Sequence, residues 1–204
     1  MKLAVHIPTG HKVAVKIIAK RKFFLNKKME GNIQREMRLL DEISEMDHPN
    51  IVKTYGSIDE PAYIYIVMEL CEGGELLEAL ETVGTYTEAD AADVVERCAE
   101  TLQYLHAKGI VHRDIKPENM LLSDSHDVTS IKLADFGLAN VIEGKGTLST
   151  VCGSPAYMAP EVHQMGDYDG AVDMYSLGIM TYLMLSGVLP FPTSEVKRQP
   201  RISP

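Results

Sequence analysis

The chain predicts an α+β fold, and three observations carry that reading. Short segments of strand character fall in the first third, at Met1 to Ile7, His11 to Ile18, Ile51 to Ile58 and Tyr63 to Met68, and they make strands of one sheet. Longer segments with apolar residues at helical spacing dominate the remainder, chiefly Thr87 to Lys108 and Ala171 to Leu185. At 204 residues, 45% apolar and 24% charged, the chain can bury a real core and has the composition of a globular protein.

In chain order, the first two strands form a hairpin closed at Pro8-Thr9-Gly10, with Val13 and Val15 alternating against polar neighbours. A helix follows from about Lys27 to Met46, carrying Ile33, Met37, Leu40 and Ile43 as one buried stripe, with Gly31 weakening its first half. His48-Pro49-Asn50 stops it, because proline disfavours helical geometry in the residue before it. The third and fourth strands turn at Asp59, Glu60 and Pro61. The long helix from Thr87 opens with a capping box, Asp90 standing three residues after the Thr, and Gly109 suits a left-handed cap at its end. Val94, Val95, Cys98, Leu102 and Leu105 form its apolar stripe, so Cys98 is a core residue; His106 lies in its last turn, where the helix dipole favours a cation, and receives no chemical role. Leu121-Leu122 and Ile131-Lys132-Leu133 read as short strands around a polar turn. The segment from Ala171 to Leu185 is apolar almost throughout, as in a helix buried on all sides, and the stretch after Pro192 reads as a disordered tail.

A net charge of -9 argues against general affinity for nucleic acid or anionic membrane and suits basic partners. Cys71, Cys98 and Cys152 are too few and too scattered for a disulfide framework or a zinc site, which points to a reducing, cytoplasmic setting. No targeting signal is visible, and the longest apolar stretch is short for a membrane span.

The chemistry concentrates in Val111-His112-Arg113-Asp114-Ile115-Lys116-Pro117-Glu118-Asn119, followed by Asp135-Phe136-Gly137 and by Ala159-Pro160-Glu161. A His-Arg-Asp triplet with an Asn five residues after the Asp, then Asp-Phe-Gly, then Ala-Pro-Glu, in that order, resembles a eukaryotic protein kinase. The resemblance implies a two-lobed fold, with a small β-rich lobe over residues 1–70, a mainly helical lobe over 71–192 and a tail over 193–204. It implies ATP and Mg2+ as cofactors, Asp114 as the group that accepts the substrate hydroxyl proton, Lys116 facing the transferring phosphate, and Asn119 and Asp135 as oxygen ligands of the metal. A Lys two residues after the Asp marks the Ser/Thr branch.

Further roles follow from the same resemblance. Val13-Ala14-Val15-Lys16 is similar to the kinase strand whose Lys contacts the ATP phosphates, so Ala14 and Lys16 belong to the nucleotide site, and Glu36 is the helix residue that pairs with Lys16 in preference to Glu30 or Glu42. Met68-Glu69-Leu70-Cys71 resembles the hinge, with Met68 at the back pocket and backbone groups from Glu69 to Cys71 facing adenine; Leu121 completes the cofactor set. Glu75, Glu118 and Ser154 are the substrate contacts, the two Glu residues facing a basic side chain. Thr150, just before Val151-Cys152-Gly153-Ser154-Pro155, matches the activating phosphosite of the calcium/calmodulin-dependent and AMP-activated kinase group, with Ser149 as its neighbour, Arg113 as the phosphate's partner and an upstream kinase as the source. Asp173-Met174-Tyr175-Ser176-Leu177-Gly178 resembles the start of the central helix of the large lobe, with Tyr175 where Trp is usual.

The expected activity is ATP-dependent phosphorylation of Ser or Thr on protein substrates by a monomeric enzyme. Two pieces of the pattern are missing, the Gly-rich loop before Met1 and the helices after Phe191, so the chain reads as the middle of a kinase domain, whether a truncated product or an incomplete gene model. A non-catalytic kinase-like module that binds partners is the alternative, disfavoured by the intact catalytic set.

Overall fold

The computed structural model describes residues 1–20, 39, 41–141, 147–164 and 166–191. The chain divides into two units, Met1–Glu72 and the part from Gly73 onward. The first holds an antiparallel four-stranded sheet of β1 (Lys2–Val5), β2 (Lys12–Ala19), β3 (Thr54–Asp59) and β4 (Tyr63–Glu69), in the order β1-β2-β4-β3. The β1–β2 turn is closed by His6 and His11, whose N–H and C=O meet at 2.8 Å, and Gly10 takes the left-handed φ of 73° that the turn needs. β3 begins at Thr54 rather than Ile51, and its register with β4 shifts between Thr54 and Gly56; Ile51 and Val52 are buried nonetheless. Residues 41–44 are helical and the helix ends before His48, with Ile43 fully buried and Glu42 exposed; the remainder of the expected stripe, and the tail after Phe191, lie outside the described residues.

The second unit is built around two helices. α1 (Leu76–Val83) was not expected; Leu76 and Leu80, one turn apart, are both buried, a signal spanning only two turns. α2 (Glu88–Ala107) buries Val94, Cys98, Leu102 and Leu105. The Thr87 hydroxyl oxygen accepts from the Asp90 N–H at 3.1 Å, but the same hydroxyl donates to the Asp90 carboxylate at 2.7 Å, so the return half of the box is made by side chains alone. Gly109 closes this helix with a φ of 75°, as expected. Cys98 lies against Met120 with sulfurs 3.9 Å apart, and burial pushes its thiol up to about 12, which makes it an inert core residue.

Two short antiparallel ribbons follow, β5 (Ile110–Val111) with β8 (Asn140–Val141), and β6 (Met120–Leu122) with β7 (Ile131–Leu133). The last helices are α3 (Pro160–His163) and α4 (Ala171–Ser186). α4 is not buried on all sides: Val172, Leu177, Met180 and Met184 face inward, whereas Met174, Tyr182 and Leu185 are 44–48% exposed. Among the described residues, no helix is long and apolar enough to cross a membrane.

What fixes the path between these elements is Asp173, in the first turn of α4. Its carboxylate is fully buried, accepts the main-chain N–H groups of His112 and Arg113 at 2.9 and 2.7 Å, and meets His106 Nε2 at 2.8 Å. His106 therefore has a partner that its position in the helix did not suggest. Replacing Asp173 with Ala strands buried N–H groups at a cost of about 1–3 kcal/mol each, so urea unfolding of Asp173→Ala is expected to show at least about 2 kcal/mol of lost stability. Asp173→Asn, which keeps one acceptor oxygen, should fall between it and the parent.

Candidate active site

The loop after β5 turns sharply at Arg113, a non-glycine residue with a φ of 69°. That turn and the two bonds to Asp173 carry Asp114 into a dense polar cluster. Oδ1 of Asp114 accepts from both the N–H and the hydroxyl of Ser154, at 3.0 and 2.9 Å. Oδ2 pairs with Lys116 Nζ at 2.9 Å and accepts from the Asn119 amide nitrogen at 3.0 Å. Lys116 also donates to the Ser154 hydroxyl at 2.7 Å. Burial on its own would raise the Asp114 carboxyl, but hydrogen bonds from Lys116, Ser154 and Asn119 and the Lys116 charge outweigh it and hold the group below its usual range. Asp114 is thus a carboxylate at neutral pH with Lys116, Ser154 and Asn119 oriented toward it.

His112 ties this loop to Asp135-Phe136-Gly137. Its Nδ1 accepts from the Asp114 N–H at 3.3 Å, so its Nε2 carries the proton and donates to the Ala134 carbonyl at 3.1 Å. The Phe136 ring meets the imidazole edge-on at 5.0 Å. Full burial lowers the His112 pKa against the pull of Asp173 and other neighbours, keeping the ring neutral in this arrangement. Asn119 and Asp135 come to the same end of the β6–β7 ribbon, where the Ala134 N–H donates to the Asn119 carbonyl at 2.8 Å. The Asn119 amide nitrogen spends its hydrogens on Asp114, which leaves the amide oxygen as its free ligand atom. Asp135 adopts a left-handed backbone with a φ of 57° and accepts from the Gly137 N–H at 3.1 Å. An amide oxygen and a carboxylate so placed suit a hard divalent cation.

In the first unit, Ala14 stands opposite Met68 and Lys16 opposite Ile66, so Ala14, Lys16 and Met68 share one face of the sheet. The Glu69 N–H is engaged with the Lys53 carbonyl at 2.8 Å, and its side chain accepts from the Lys53 N–H at 3.2 Å. Among the backbone groups expected to face adenine, that N–H is therefore not available. Cys71 lies two residues beyond the end of β4, and like Cys98 and Cys152 it is in no disulfide. Glu36, and with it the expected ion pair to Lys16, lies outside the described residues.

Glu75 and Leu121 form an isolated backbone bridge, which brings that Glu to the edge of the β6–β7 ribbon. Oε2 of Glu118 is buried without a hydrogen-bond partner among the described residues, and the Glu118 charge helps raise the Tyr157 hydroxyl, after the larger effect of burial, to about 12. Gly153 has a φ of 110°, and a Cβ there would stand 2.6 Å from the Arg113 carbonyl oxygen; only glycine lets the two loops approach so closely. Thr150 and Ser149 are both exposed. Arg113 Nη1 reaches the Tyr168 hydroxyl at 3.2 Å, and that hydroxyl donates to the Thr150 carbonyl at 2.6 Å. Sequence reasoning missed Asp173, His106 and Tyr168 as parts of this assembly.

A family model described as the protein kinase domain matches residues 1–202. The chain is 42% identical over 183 residues to "Myosin light chain kinase A" of Dictyostelium discoideum, a match covering 90% of this chain and 60% of that protein. It is 39% identical over 182 residues to "Calcium/calmodulin-dependent protein kinase type 1" of Caenorhabditis elegans, covering 89% and 50% respectively. It is 40% identical over 196 residues to the "SNF1-related protein kinase catalytic subunit alpha KIN12" of Arabidopsis thaliana, covering 96% and 38%. The chain thus spans from 38% to 60% of the length of these three relatives. With its loop motifs gathered around one carboxylate and the family model matched along nearly its whole length, the chain belongs to the protein kinase family.

Proposed function

We propose that this chain encodes an ATP-dependent protein Ser/Thr kinase, acting in the cytoplasm on protein substrates with basic residues near the acceptor. The observation that carries this reading is the Asp114 carboxylate, held ionised by Lys116, Ser154 and Asn119. Asp114 accepts the proton of the acceptor hydroxyl as its oxygen bonds to the terminal phosphorus of ATP and the bond to the bridging oxygen breaks. Lys116, 2.9 Å from Asp114, brings positive charge to the place where the phosphoryl group passes. Asn119 and Asp135 would hold Mg2+, which when bound would neutralise charge on the phosphates. In the first unit, Lys16, with Glu36 as its expected partner, is the residue for the phosphates, and Ala14, Met68 and backbone groups from Glu69 to Cys71 are those for the base; Leu121 is the cofactor residue of the second unit.

Glu75 and Glu118 supply the preference for basic substrates, and the buried, unpartnered Oε2 of Glu118 supports it, since an Arg or Lys would relieve that group. Thr150 is the site at which an upstream kinase activates the enzyme: its side chain is exposed, and the Arg113 guanidinium is linked to its carbonyl through a single hydroxyl. A phosphate there gains charge-assisted bonds to Arg113.

With Asp114→Asn, kcat is expected to fall by at least about 100-fold while nucleotide affinity stays within about twofold; a variant retaining a tenth of parental turnover in a radiolabelled-phosphate assay sinks the base assignment. The same variant reports on linkage. Because the folded Asp114 carboxyl titrates below its unfolded value, its contribution to stability is present above about pH 4 and is lost as pH falls through the depressed value. Acid unfolding below that pH should therefore be shallower in Asp114→Asn than in the parent.

Glu118→Gln is expected to raise KM about tenfold for a peptide with Arg before the acceptor Ser, and to leave KM unchanged for the same peptide with Ala in place of Arg. Equal effects on both peptides would remove Glu118 from substrate recognition. Thr150→Ala should abolish activation by an upstream kinase of the calmodulin-dependent or AMP-activated cascades; phosphopeptide mapping that finds the activating phosphate on Ser149 alone overturns the assignment.

A further inference from the structure

Tyr168 sits where four stretches of the second unit converge. It is 5% exposed and packs in a cluster with Val111, just before the loop from His112 to Asn119, Leu148 of the segment from Asp135 to Glu161 (the activation segment), Val162 of α3 and Val172 of α4. Its main chain pairs with Leu148 through two hydrogen bonds of 2.8 and 2.9 Å. The hydroxyl is the part that packing does not account for. A phenol has one proton to give and lone pairs to receive; this one gives its proton to the Thr150 carbonyl at 2.6 Å and receives Arg113 Nη1 at 3.2 Å, with the Cys152 side chain also alongside. Burial keeps the hydroxyl protonated well above neutral pH, so the donor end is always available to Thr150.

We propose that Tyr168 is a positioning residue that uses its hydroxyl to clamp the activation segment to Arg113 while Thr150 carries no phosphate. Arg113 immediately precedes Asp114, and the Ser154 bonds to Asp114 lie four residues beyond Thr150, so a clamp at Thr150 keeps both ends of the base's surroundings in register. A phosphate on Thr150 makes a stronger, charged link to the same guanidinium and renders the hydroxyl redundant. That second half rests on the reading of Thr150 as the phosphate acceptor; the clamp itself does not.

The variant is Tyr168→Phe, which keeps the ring in its cluster and removes only the hydroxyl. In the unphosphorylated full chain, amide exchange of peptides spanning 147–153 should speed up at least about fivefold, while peptides from α2 are unchanged. Turnover of that form should drop about three- to tenfold with the KM for ATP unaltered, and the difference from the parent should vanish once Thr150 is phosphorylated. Unchanged exchange over 147–153 overturns the clamp, as does a uniform increase that includes α2, since that is a packing defect. An equal loss of turnover before and after phosphorylation overturns the redundancy. If the phosphate is found on another residue, the reading of Thr150 fails, and the exchange arm on unphosphorylated protein still decides the clamp.

Discussion

The fully buried carboxylate of Asp173 is the constraint on which the second unit depends. Turning the chain at Arg113 through a left-handed conformation costs about 1–3 kcal/mol for a non-glycine residue. Bonds from the His112 and Arg113 N–H groups to an ionised acceptor contribute about 1.5–3 kcal/mol each, so the turn is stable only because the helix delivers a charge to it. His106, from α2, meets the same carboxylate at 2.8 Å. One side chain thereby joins two helices to the loop that carries Asp114, and the backbone of that loop acquires its strained shape from the interior of the second unit.

Around Asp114 the energetics run opposite to those of an ordinary core. Partial burial opposes the charge, yet the ionised form wins because each oxygen has at least two donors or a cation within hydrogen-bond distance. Such a group is rigid as well as charged, since moving it breaks several bonds together. His112 extends that rigidity to the next motif: its two ring nitrogens are used in opposite senses, one accepting from Asp114 and the other donating to Ala134. A neutral imidazole is required for both, and burial supplies it.

How much of this was legible from sequence depends on the range of each interaction. The loop from His112 to Asn119 could be read because its members lie within a few residues of one another and their types are dictated by the chemistry. The α+β class and the antiparallel strand pairs were legible from pattern, whereas the two-turn helix at Leu76–Val83 was too short to stand out and the register shift between Thr54 and Gly56 in β3 is one that pattern does not encode. Contacts such as Asp173 to Arg113, separated by 60 residues, leave no periodic trace; nor does the Tyr168 hydroxyl, whose partner at Thr150 is a carbonyl and so has no side-chain identity. The exposed face of α4 was missed for a related reason. An apolar residue in a helix reads as buried, but Met174, Tyr182 and Leu185 are not.

The close approach at Gly153 has a consequence for how this sequence can drift. Its Cα faces the Arg113 carbonyl with no room for a side chain, and the next residue places both its N–H and its hydroxyl on Asp114, 40 positions earlier in the chain. Any insertion, deletion or bulky replacement on one side is therefore felt at the other as a change of main-chain position rather than of surface. Of the standard residues at 154, threonine alone keeps the N–H and an equivalent hydroxyl on the same Cβ oxygen position. The two stretches, far apart in the gene, are bound to accept substitutions as a single unit, and variation elsewhere in the activation segment is confined to residues that leave this joint in place.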